Sequence, residues 1–114
     1  MGPVVDPDWA LFHLQRALYD PLDPRRLGSL DPALHFRVNG EVFRFSTDRT
    51  LRRFMKSPQR WCGPVRDPVT GRHFKPTTAS PEAYWIGGPY FFESDSTKAR
   101  FVEDPHRWAI IRRM

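Results

Sequence analysis

Two stretches of the chain, GEVFRFSTDRTLRRFMKSPQRW at 40–61 and GGPYFFESDSTKARFVEDPHRW at 87–108, carry nearly the same text 47 residues apart. Nine of the 22 aligned positions are identical: Gly40/Gly87, Phe45/Phe92, Asp48/Asp95, Thr50/Thr97, Arg53/Arg100, Phe54/Phe101, Pro58/Pro105, Arg60/Arg107 and Trp61/Trp108. Unrelated sequences of this length share about one or two. The same spacing carries Asp20-Pro21 onto Asp67-Pro68 without a gap, so the pattern reads as a tandem duplication of a hairpin-plus-helix unit of 42 to 47 residues. A unit this small cannot bury an apolar face alone. The expectation is therefore an α+β domain in which two copies share one core, related by an internal pseudo-twofold axis.

Local signals fill in each unit. In the first, Asn39-Gly40 between the alternating runs FRV and EVFRF marks a tight hairpin. Ser46 or Thr47 can cap a helix over about 48–56, which Pro58 closes. In the second, YWIGGPYFF reads as a hairpin with Gly87-Gly88 at its turn, Ser94 as a cap, and 95–103 as a helix ended by Asp104-Pro105. Phe45, Phe92, Phe54 and Phe101 should face inward, while the prolines let Trp61 and Trp108 fold back. Ahead of the repeats, Asp6-Pro7 followed by apolar residues at 9, 11, 12, 14 and 18 predicts a helix over about 7–19 that ends at Asp20-Pro21. The expected divisions are thus an N-terminal helix (1–19), a first unit (20–66) and a second unit (67–114), forming one compact domain overall. The final residues, WAIIRRM, make a short apolar and basic tail.

At 114 residues, with 14% aromatics and four tryptophans, the chain has material for a packed interior. It is too small for a cofactor-binding fold plus a substrate domain. Its one cysteine, Cys62, excludes an internal disulfide and fits a reducing, cytoplasmic setting. The first residues lack the basic and apolar regions of a signal peptide, and no run approaches the length of a membrane span. A net charge of +5 favours an acidic partner, and the excess is local. Arg44, Arg49, Arg52, Arg53, Lys56, Arg60 and Arg66 face only Asp48 between positions 44 and 66.

The second unit, with DPVTG at 67–71, GGPYFFES at 87–94, Phe101 and DPHRW, resembles the YHS domain, a relative of the TRASH and treble-clef metal-binding modules. The first unit resembles it more weakly over 20–61. The resemblance implies hairpin-plus-helix units whose metal is held by cysteines. Where that family carries its thiolates, the second unit has Thr70, Glu93 and Thr97, and the first has Asp23, Ser46 and Thr50. Ser and Thr hydroxyls do not replace thiolate or imidazole ligands in tetrahedral zinc or copper sites. The expectation is a pair of metal-free descendants with no cofactor.

Other chemistry finds little footing. His13, His35, His73 and His106 show no ligand spacing. Cys62 lacks an identifiable base, which makes it a half-buried thiol rather than a nucleophile. No Ser-His-Asp set, phosphate loop or zinc-protease motif occurs. Acids such as Glu82, Glu93, Asp95 and Glu103 fall at caps or on solvated faces, so no enzyme activity is expected.

The helix over 48–56 stands apart. Arg49, Arg52, Arg53 and Lys56 share an arc of roughly 100°, opposite Leu51, Phe54 and Met55. Most such runs are solvated faces, yet here only one acid offsets the repulsion. The corresponding helix of the second unit is charge-balanced. The leading expectation is a non-catalytic protein-interaction module, an accessory subunit of a larger redox or membrane-associated assembly. It would dock on an acidic protein surface through Arg44, Arg49, Arg52, Arg53, Lys56 and Arg60. Nucleic-acid binding through the same cations is the second expectation, against which the aromatics read as core. Metal handling through a non-thiolate site is the third. Oligomeric state is open.

Overall fold

The computed structural model describes residues 18–109 of the chain. The helix expected over 7–19 and the end of the C-terminal tail lie outside the described residues, save for Leu18 and Tyr19. Tyr19 forms an isolated antiparallel bridge with Leu27.

The first unit is built from its turn outward. Asn39 and Gly40 take φ of 51° and 77°, the left-handed geometry that an Asn-Gly pair tolerates best. Strands β1 (His35–Val38) and β2 (Glu41–Arg44) close on either side, with Phe36 opposite Phe43. Thr47, in extended conformation, then caps α1 (Asp48–Lys56), its hydroxyl oxygen accepting from the Thr50 amide at 3.2 Å. Ser57 leaves the helical region at φ −154°, and Pro58 opens a single further turn, α2 (Pro58–Trp61), that carries Trp61 back toward α1. Pro58 therefore both stops one helix and starts another.

A short ribbon of β3 (Val65–Arg66) and β4 (His73–Phe74) follows, which no local signal marked. The second unit is β5 (Glu82–Trp85), β6 (Gly88–Phe91), α3 (Asp95–Glu103) and α4 (Pro105–Trp108). Each of these elements begins and ends 47 residues after its counterpart in the first unit. The turn of the second hairpin is Ile86-Gly87 rather than the expected Gly87-Gly88. Gly88 instead belongs to β6, and a Cβ there would lie 2.1 Å from the carbonyl oxygen of Arg37. Its glycine serves a close approach between the units, not the turn.

The interior departs from the expectation of one shared core. Val38, Phe43, Phe45, Leu51, Phe54, Cys62, Val65 and Phe91 form one buried cluster, while Tyr90, Phe92 and Phe101 form another. Each helix phenylalanine covers its own hairpin: Phe54 packs on Phe36, Phe43 and Phe45, and Phe101 on Tyr90 and Phe92. Phe91, from the second hairpin, reaches into the first cluster. Neighbouring β6 residues point to opposite sides of the strand, so Tyr90 and Phe91 enter different cores. Met55, expected on the buried face of α1, is exposed because it lies on the flank of the stripe set by Leu51 and Phe54.

The expected twofold is absent as well. β1 packs against β6, whereas β2 and β5 have no comparable packing. A twofold axis would demand both contacts, so the units meet head to tail. Asn39 makes the joint. Its amide NH2 donates to the carbonyls of Arg66 at 2.9 Å and Phe91 at 3.0 Å, and its carbonyl accepts from the Phe91 amide at 2.7 Å. Its own backbone amide donates to the Pro89 carbonyl at 3.0 Å. The side chain is 1% exposed with its amide satisfied, as a buried polar group must be.

Candidate functional site

A groove of about 600 Å³ runs between α1 and α2, lined by Arg49, Arg52, Arg53, Lys56, Arg60 and Trp61 together with Asp48 and Ser57. Five of the six residues expected to bind a partner meet here. Arg44 does not: it is half-buried on β2, opposite His35, with its Cβ and backbone closely packed against Gly28.

Two of the five cations have a structural occupation. The guanidinium carbons of Arg53 and Arg60 lie 5.4 and 5.2 Å from the centre of the Trp61 ring. The second unit repeats this, with Arg100 and Arg107 at 5.9 and 4.8 Å from Trp108. These contacts lie within the range of favourable cation–π attraction. Three of the nine identities in the repeat are thus one packing device, a tryptophan attended by two arginines. Arg49, Arg52 and Lys56 are different. At the equivalent positions the second unit has Ser96, Ala99 and Glu103. These three cations, at i, i+3 and i+7, form a stripe about 10 Å long on one side of α1. Arg52 pairs with Asp48 at 2.8 Å, but both partners are exposed, so the pair adds little to stability.

The positions at which the resembled family carries its metal ligands also converge. In each unit they surround a buried aspartate, Asp20 or Asp67, both 0% exposed. Oδ1 of Asp20 accepts from the amides of Leu22 at 2.8 Å and Asp23 at 3.3 Å. Its Oδ2 accepts from the Ser46 amide and hydroxyl, both at 2.8 Å, and from the Thr50 hydroxyl at 2.6 Å. Asp67 repeats the pattern, with Oδ1 on the amides of Val69 (2.8 Å) and Thr70 (3.2 Å) and Oδ2 on the Glu93 amide (3.0 Å) and the Thr97 hydroxyl (2.9 Å). Burial by itself would raise the Asp20 carboxyl, but hydrogen bonds from Thr50, Ser46 and Leu22 outweigh it and hold the group below its ordinary value. Each aspartate ties the turn before its hairpin to the start of its helix.

Glu93, in the place of Ser46, accepts instead from the Thr70 hydroxyl at 2.9 Å and from Arg72 at 3.3 Å. Among the described residues no cluster of three or more His, Cys, Asp or Glu side chains is placed to hold a metal ion. Cys62 is buried in the first core cluster at 2% exposure, not half-buried, and its Sγ donates to the Gly63 carbonyl at 3.3 Å. His35 contacts the Ser29 carbonyl at 2.8 Å, and His106 stands edge-on to Trp85. His13 lies outside the described residues.

Sequence reasoning missed the two aspartate hubs by reading Asp20-Pro21 and Asp67-Pro68 as turns. Their recurrence at the same spacing as Thr50 and Thr97 was the available signal. Comparison with protein-family models, with curated proteins and with solved structures finds no match to the chain. Among the described residues, no helix is long and apolar enough to cross a membrane.

Proposed function

We propose that the chain is a non-catalytic interaction module, an accessory subunit of a larger assembly, that docks on an acidic protein surface through the α1–α2 groove. The observation that carries this reading is the internal comparison. The two units share their hairpin, their cap, their aspartate hub and their Arg-Trp-Arg stack, yet only the first adds Arg49, Arg52 and Lys56. Since the second unit has the same elements without them, packing does not require these three cations. Three neighbouring charges on one turn-spaced stripe repel one another, a cost that an anionic partner would relieve. Arg is also a residue type over-represented where binding energy concentrates.

The same comparison supports descent from tandem, cysteine-less YHS-like repeats. The positions of the resembled ligands converge in each unit, and an aspartate with its hydroxyl and amide donors stands among them. Nucleic acid is the competing partner. Against it, the aromatic side chain in the groove, Trp61, is already attended by Arg53 and Arg60, which reduces what a base could stack on.

The test is affinity purification from native cells at low salt, with nuclease and mild detergent, comparing the natural chain with the triple variant R49E/R52E/K56E. The expected result is a stable set of protein partners that the variant loses, while its melting temperature is unchanged. Equal capture by the variant would return α1 to a solvated face. Capture abolished by nuclease alone would make nucleic acid the partner.

A further inference from the structure

The head-to-tail contact between the units has an open counterpart. In an antiparallel pair, alternate residues turn their amides and carbonyls toward the partner strand or away from it. In the first hairpin the Leu34–Phe45 bond at 2.9 Å sets this phase and turns Arg37 and Asn39 outward. That outward edge meets the second unit: the Asn39 amide donates to the Pro89 carbonyl at 3.0 Å, and the Arg37 carbonyl rests against Gly88. In the second hairpin the Pro81–Phe92 bond, also 2.9 Å, sets the same phase. Glu82 and Tyr84 are therefore the outward residues of β5, continued by Ile86 in the turn; all three are exposed, Tyr84 and Ile86 each to 72%. Where the first unit offers Arg37 and a buried Asn39 to its neighbour, the second offers an aromatic and a branched aliphatic side chain to solvent.

We infer that the outer edge of β5 is a docking site for an extended, glycine-containing segment of a partner protein, seated as Gly87–Pro89 sits on β1. The internal joint defines what such a segment needs. A carbonyl must receive the Ile86 amide, as Pro89 receives that of Asn39. A residue without Cβ must cross the Tyr84 carbonyl, as Gly88 crosses that of Arg37. Apolar side chains beyond the glycine would cover Tyr84 and Ile86. Affinity would come from the main-chain bond of Ile86 and from burial of the apolar side chains, since Ile86 has no counterpart of the three side-chain bonds of Asn39, and selectivity from the glycine. The corresponding edge of a second copy, on β2, does not meet these terms. The positions equivalent to Gly88 and Pro89 are Glu41 and Val42, and the Cβ of Glu41 would strike the crossing carbonyl.

The probe is a synthetic peptide carrying this chain's own residues 87–91, Gly-Gly-Pro-Tyr-Phe, flanked by charged residues for solubility, titrated into the isotope-labelled protein. Saturable shifts of the Tyr84 and Ile86 amide signals are expected. A peptide in which the second glycine is alanine should bind at least ten-fold more weakly, roughly the loss of 1.4 kcal/mol. Ile86→Pro removes the edge donor. Its φ is not positive in this structure and its N–H points away from β6, so the variant should keep its circular dichroism and melting temperature and lose the peptide by a similar factor. No saturable shift at millimolar peptide, or equal binding by the alanine peptide or by the folded proline variant, would overturn the inference.

Discussion

Replacing Asp20 with Asn changes one atom of the first hub and removes its charge, so its cost follows from the contacts. With its oxygen kept at the Oδ1 site, the new amide still accepts from Leu22 and Asp23. Its NH2 then faces the Ser46 amide, the Ser46 hydroxyl and the Thr50 hydroxyl. Both hydroxyls can turn and accept, but the Ser46 N–H cannot, and an orphaned buried donor costs about 1–3 kcal/mol. Loss of charge weakens the other bonds by roughly half. The sum is about 3–5 kcal/mol, a large part of a typical stability of about 5–15 kcal/mol. Asp67→Asn orphans the Glu93 amide in the same way but has one hydroxyl bond fewer to weaken, so it should cost about 1 kcal/mol less. Urea unfolding at pH 7 measures both. A cost under about 1 kcal/mol for Asp20→Asn would refute the hub as a source of stability, and a larger cost at Asp67 would refute the bond counting.

The pH dependence has a definite sign. A carboxyl held below its ordinary value adds stability that is complete above the unfolded value, near 3.9, and is lost as pH falls through the folded one. The natural chain and Asp20→Asn should therefore converge in stability as pH drops below about 4; a constant difference would remove the charge from the account. Asn39→Gly keeps the turn but deprives Phe91 and Arg66 of their partners, and should cost about 2–4 kcal/mol with faster hydrogen exchange at the Phe91 amide. Exchange unchanged at Phe91 would mean that the joint does not depend on this side chain. Phe54→Ala and Phe101→Ala should each cost about 3–5 kcal/mol by denaturant unfolding, and less than about 1 kcal/mol at both would refute the reading of each helix as the lid of its own hairpin.

Much of this was legible in the chain itself. The hairpin at Asn39-Gly40, both nine-residue helices, the hydroxyl caps and the 47-residue recurrence of the hairpins and helices depend on preferences carried by a few neighbouring residues, and those preferences act wherever the segment ends up. The basic stripe of α1 was equally visible, since helical spacing alone puts Arg49, Arg52 and Lys56 together. Tertiary structure decided the rest. Asp20 and Asp67 are buried hubs because donors from a turn and a helix start, some 26 to 30 residues on in the chain, converge on each carboxylate. Whether two units share a core or keep two, and whether they meet by a twofold or head to tail, depended on Gly88 fitting against Arg37 and on Asn39 bonding to Pro89 and Phe91. A close approach between residues some 50 positions apart is set by the packing of whole hairpins, on which short-range preferences carry no information.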